Sequence, residues 1–254
     1  MIPLLLLALA GPAQNPPAPP PPKSEAELRF QGCAALAKRD PAKAAEQADA
    51  WRVTGGGVLA SECLGVAYVG QERWGPAEVA FEQAANDAEI QHDGRAGTLW
   101  VQAGNAALAG DDPSKARQAF DRALALPVLS DPMRGETYLD RGRAAVALND
   151  MASARADIDQ ALKLVGADPL AWLLSATLAR RQADATRATA DIAEALKRAP
   201  DDPDVLFESG KIAELRGDHA AARDAWMRAA DKDPQGPGAA ALAATTQGSP
   251  LPKP

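Results

Sequence analysis

Aromatic residues make up only 4% of this 254-residue chain, histidine occurs twice and cysteine twice. Few aromatics disfavour a β-sandwich, whose strands draw on aromatic and β-branched side chains to fill a pleated surface. Two cysteines and two distant histidines do not assemble the four ligands of a structural zinc site. The chain has no polybasic run, its formal charge is −7 and its pI is near 5.0. General nucleic-acid binding needs a basic face to neutralise phosphates, and an anionic membrane surface needs clustered Lys and Arg, so neither is expected. The glycine run Gly55-Gly56-Gly57 is followed by no Lys-Ser or Lys-Thr and is read as a chain break rather than a phosphate loop.

What the chain does have is alanine. With 46% hydrophobic residues it has enough apolar material for a sizeable core. Alanine combines the highest helix propensity with a small side chain, which suits closely packed helices.

The first residues are apolar from Leu4 to Ala10 and then small, Gly11-Pro12-Ala13. That run is shorter than the ~20 residues of a membrane span and reads as a secretory signal segment, 1–13. Cleavage after Ala10 or after Ala13 fits the small residues, and the second keeps Pro12 from following the cut. No cysteine follows the run, so a lipid anchor is not indicated. Residues 14–23 are dominated by proline, which lacks the amide N–H and fixes φ, and form an extended linker.

Beyond the linker, small residues recur at Gly65, Gly104, Gly142, Ala176 and Gly210, at intervals of 39, 38, 34 and 34. Twelve residues after each stands an alanine: Ala77, Ala116, Ala154, Ala188 and Ala222. Four further on is a large apolar residue (Phe81, Phe120, Ile158, Ile192, Trp226), and three beyond that another alanine (Ala84, Ala123, Ala161, Ala195, Ala229). Offsets of three and four keep side chains on one helical face, so each unit is two helices joined by a turn. Gly110-Asp111-Asp112-Pro113, Asn149-Asp150 and Gly217-Asp218 supply the turns, and Pro200 and Pro234 end the second helices.

This pattern resembles the tetratricopeptide repeat. The unit 203–236 carries Gly210, Ala213, Gly217, Ala222, Trp226, Ala229 and Pro234 in the family's register. Units 169–202, 135–168, 97–134 and 58–96 follow it, with Ala176 for glycine in the first, Gly166 for the closing proline in the second, and four or five extra residues at the C-terminal ends of the last two. Residues 24–57 read as a degenerate helical pair, with Gly32 twelve residues before Ala44. In the tail 237–254, Pro237 to Thr246 reads as a short capping helix before a frayed end. The resemblance implies an all-α, right-handed α-solenoid of about six helical pairs, in which each unit buries its apolar face by stacking on the next.

It also implies where a partner sits. In such proteins the first helices line a concave groove, and the residue after the small position points into it: here Val66, Asn105, Arg143, Thr177 and Lys211, extended by Arg180 and Arg181. Family members that grip a peptide's C-terminal carboxylate use a Lys/Asn/Arg set of which this chain has only part. The expectation is that Asn105 pairs with a ligand backbone and that Arg143 or Lys211 pairs with acids. Successive first helices lie side by side, so Cys33 and Cys63 are expected to meet as a disulfide in an oxidising compartment; the alternative is two buried thiols filling small gaps.

Neither His92, placed in a loop from Ala88 to Ala96, nor His219, at the start of a second helix, has the neighbours that nucleophilic or acid–base chemistry needs. The acid pairs Asp111-Asp112 and Asp201-Asp202 precede helices and are read as caps. No catalytic residue, cofactor or metal is expected. The expected function is a non-enzymatic protein-binding scaffold, periplasmic or secreted in a Gram-negative bacterium, with no membrane insertion once the signal segment is removed. A periplasmic chaperone-like binder of many clients is the alternative, and a cytoplasmic adaptor or an enzyme with an unfamiliar site ranks below both.

Overall fold

The structure, a computed structural model, describes residues 23–246. The signal segment, nearly all of the proline-rich linker and the frayed tail lie outside the described residues. Those described form thirteen helices and no strand: α1 Glu25–Ala37, α2 Pro41–Val53, α3 Gly57–Val69, α4 Trp74–Ile90, α5 Ala96–Ala109, α6 Pro113–Ala125, α7 Asp131–Ala147, α8 Met151–Val165, α9 Pro169–Arg181, α10 Ala185–Arg198, α11 Pro203–Leu215, α12 His219–Lys232 and α13 Pro237–Thr246. They pair in sequence order, and α13 lies against α12 and α11.

Aspartate starts most second helices. Asp40, Asp112, Asp150, Asp184 and Asp218 each accept a hydrogen bond from the backbone N–H three residues on, satisfying one of the orphan donors of the first turn. Asp202 does the same for α11. Proline follows Asp40, Asp112, Asp168 and Asp202 at the first helical position, where its missing N–H costs nothing. The turns before α4, α6, α8, α10 and α12 each place one residue at positive φ: Glu72, Asp111, Asn149, Ala183 and Gly217.

Each pair is locked by a small residue facing a large one. A Cβ added at Gly65 would stand 2.6 Å from the Phe81 ring, and one at Gly104 would be 2.7 Å from two atoms of Phe120 and nearer a third. At Gly210 it would meet the Trp226 indole, which is fully buried and donates from Nε1 to the Phe207 carbonyl at 3.2 Å. Where the large residue is isoleucine the constraint relaxes: a Cβ at Gly142 would be 3.3 Å from Ile158, and opposite Ile192 the chain carries Ala176. The alanines of both helices are almost wholly buried, so backbones approach closely and the core is a continuous seam along the array.

Three details differ from the sequence reading. The extra residues of the two early units are absorbed by lengthening α4 and α7 to 17 residues each, because their added turns continue a helical apolar face. The loop around His92 is therefore only 91–95. Gly32 is exposed, and a Cβ there would meet nothing; Cys33 and Ala37 take the close-packed positions against Ala44 and Ala48.

Ion pairs and hydrogen bonds tie units together. Arg141 spans Asp121 on α6 at 2.7 Å and Asp157 on α8 at 2.6 Å. Arg155 donates to Ser175 Oγ at 2.8 Å, and that hydroxyl donates to Asp191 on α10. No described helix is long and apolar enough to cross a membrane.

Candidate functional groove

The first helices form one face. α1 packs on α3, α5 touches α7 and α9 touches α11, whereas no two successive second helices pack to the same extent. The asymmetry is not uniform, since α3–α5 and α7–α9 meet less closely, but it accords with the concave first-helix side that the resemblance implies.

Asn105 and Arg143 stand exposed on that face, and Val66, Thr177 and Lys211 are half-buried in it. Arg143 donates from Nη1 to Asp140, one turn back, at 3.0 Å and leaves most of its fork free. Burial raises the Asp140 carboxyl above the usual aspartate range, with Arg143 opposing. Arg143, Thr177 and Arg181 rim a single cavity of about 240 Å³ between α7 and α9, floored by Val146, Ile158 and Leu174. Asn105 and Lys211 lie outside it.

Arg180 and Arg181 have different fates. Arg180 is engaged within the array: its Nε donates to Glu208 on α11 at 2.5 Å and joins α9 to α11. Arg181 is exposed and makes no ion pair or side-chain hydrogen bond among the described residues. Lys211 lies 3.8 Å from the same Glu208 and 5.1 Å from the centroid of the Phe207 ring. Burial lowers its pKa below the usual lysine range; Glu208 opposes this, while Arg180 and Arg181 add to it. Arg180 and Lys211 thus share one carboxylate, with Arg181 near enough to act on Lys211.

Charge of the other sign sits at the α3–α5 end, which the sequence reading missed. Glu62 on α3, three residues before the small position, lies 3.7 Å from Arg95, which also holds Asp93. Burial raises the Glu62 carboxyl, with Arg95 opposing, and its Oε2 has no hydrogen-bond partner. Its helical offset from Gly65 was the available signal.

Cys33 on α1 and Cys63 on α3 are both buried, with Cα atoms 6.2 Å apart and sulfurs in bonding contact. Among the described residues no three His, Cys, Asp or Glu side chains group as metal ligands. His92 is exposed; His219 is exposed and lies 2.9 Å from Glu214 Oε1.

The family model described as tetratricopeptide repeat matches residues 101–171, 139–188 and 173–237, together more than half of the chain. Among solved structures, PilF of Pseudomonas aeruginosa superposes with a TM-score of 0.69 at 15% identity, covering 88% of this chain and 97% of that one. PilW, described as a widely conserved type IV pilus biogenesis factor, gives 0.68 at 20% identity over 89% of this chain and 100% of that one. YrrB, described as a repeat protein of the same kind with an unusual peptide-binding site, gives 0.57 at 18% identity over 78% and 96%. At these identities the likeness is one of fold. A comparison with curated proteins finds no matching sequence.

Proposed function

Because the chain belongs to the tetratricopeptide repeat family, we propose that it is a non-enzymatic adaptor that holds a protein or peptide segment in its concave groove within a bacterial cell envelope. One observation carries the reading. The concave face combines exposed, incompletely paired cations with an apolar cavity, whereas the buried charges elsewhere are mostly spent on joining helices. An exposed set of recognition groups on a rigid curved scaffold favours binding over catalysis.

The envelope location draws on the apolar first residues followed by a proline-rich linker, and on the cysteine pair. In this reading Cys33 and Cys63 form a disulfide that holds the N-terminal helical pair to the array, as an oxidising compartment permits. PilW, similar in fold, is a pilus biogenesis factor, which is consistent with an assembly role.

A cross-linked pull-down of the tagged protein from its host, fractionated by compartment, tests the proposal. One dominant envelope partner, lost when Arg143→Ala and Lys211→Ala are combined, is the expected result. Recovery only from the cytoplasm would overturn the location and the disulfide together, and a smear of weak clients would favour a chaperone-like binder. A partner retained in full by the double variant would place binding elsewhere on the surface.

A further inference from the structure

The geometry points to a narrower specificity, resting on the groove reading above: the α7–α9–α11 end of the concave face takes an internal segment in which one branched aliphatic side chain is flanked by carboxylates. The cavity between α7 and α9 holds about 240 Å³, below the ~300–1,000 Å³ of ordinary small-molecule sites. Its floor of Val146, Ile158 and Leu174 is apolar, so it suits a single aliphatic side chain better than a polar ligand.

The rim sets the charge. Arg143 is engaged by Asp140 through one nitrogen, and Arg181 by no described side chain. Both present planar forks that pair with a carboxylate through two parallel hydrogen bonds. Thr177 shares the same lining. Beyond Arg181, Lys211 and Arg180 share the one Glu208 carboxylate, leaving an excess of positive charge.

The opposite end of the groove confines such a segment. Glu62 and Asp93 surround the lone Arg95, so acidic residues there would meet like charge. Exclusion at one end and attraction at the other fix where the segment lies.

The probe is a capped peptide, acetylated and amidated, with one leucine flanked on each side by two glutamates. Binding is followed by fluorescence anisotropy, and its location by backbone amide shifts. Saturable binding is expected, with shifts around Arg143, Thr177 and Arg181 and none near Glu62. Affinity should fall at least about tenfold when the glutamates become glutamines, as loss of charge-assisted hydrogen bonds implies. Replacing leucine by glycine should weaken it similarly, and so should Arg143→Gln with Arg181→Gln. Both arginines are exposed, and an unchanged circular dichroism spectrum will show that the variant is folded.

Binding that ignores the glutamate-to-glutamine change or the double variant would overturn the inference, as would shifts confined to α3 and α5. Binding only by an uncapped peptide would mean that a terminal carboxylate is read instead, and would also overturn it. If the capped peptide fails while a host partner is still lost on groove mutation, this specificity is wrong and the adaptor reading stands. If neither binds, both fall.

Discussion

Replacing Gly104 by alanine should destabilise the protein, while the same change at Gly142 should not, although both glycines sit mid-helix at the same place in the repeat. In each case alanine gains about 1 kcal/mol of helix propensity over glycine. At Gly104 the new methyl would lie within 2.7 Å of three Phe120 ring atoms, and that ring is fully buried with no room to swing. Overpacking of this kind costs about 1–3 kcal/mol. At Gly142 the nearest atom is Ile158 Cγ1 at 3.3 Å, and a flexible branch shifts by a few tenths of an ångström more easily than a ring. The propensity gain is common to both variants, so their difference isolates the overpacking, about 1–3 kcal/mol. Urea unfolding followed by circular dichroism reads this as midpoints separated by roughly 1 M, given slopes of about 1–3 kcal/mol per molar, provided the slopes agree. The chain offers its own control, since Ala176 already faces Ile192. Gly104→Ala should therefore cost less in a Phe120→Ile background than alone. Equal upward shifts for Gly104→Ala and Gly142→Ala, or no relief from Phe120→Ile, would refute the close-approach argument.

Ala183, at φ 58 in the turn before α10, occupies the position where Gly217 stands two helices later. Ala183→Gly should raise stability by up to about 1 kcal/mol in the same unfolding assay, because the left-handed strain of alanine exceeds the added chain entropy. The 30-residue separation of Cys33 and Cys63 gives a loop worth about 3–4 kcal/mol in the unfolded chain. Thiol titration of the unfolded, unreduced protein should find no free sulfhydryl, and reduction should lower the unfolding midpoint; two titratable thiols would remove the disulfide. His219 is raised above its ordinary pKa of 6.5 by the Glu214 carboxylate. Its folded pKa exceeds its unfolded one, so the associated stability is full below about 6.5 and is lost as pH rises through the folded value. A ring-proton titration should show the raised midpoint, and Glu214→Gln should return it.

The repeat was legible because its determinants are local and periodic. A small residue, an alanine twelve positions on and a large residue four beyond that sit on helical faces, and the faces are fixed by the 3.6-residue period alone. Aspartate caps and prolines at the first helical position bounded the second helices for the same reason. The early insertions were harder to read: Ala88 to Ile90 carry no breaker, and Pro132 in the first turn of α7 suits a helix start as well as a loop, so nothing marks whether the added residues loop out or continue the helix. Gly32 misled because glycine at the right spacing is not always a packing glycine; one residue along, Cys33 does that work.

The groove was legible only as a row of positions. The family resemblance put Asn105, Arg143, Thr177 and Lys211 at equivalent positions of successive units, but which cations are free depends on partners a whole unit away. Arg180 is spent on Glu208, 28 residues on, while its neighbour Arg181 points elsewhere and stays free. Adjacent residues on a helix are turned by about 100°, so one of an arginine pair meets the next first helix and the other meets solvent. The pair thus divides between holding α9 to α11 and presenting charge to a ligand. A ligand that competes for Arg180 would have to displace a buried carboxylate, whereas one that engages Arg181 displaces only water, so the proposed recognition at this end of the groove rests on Arg181 and Arg143 rather than on Arg180.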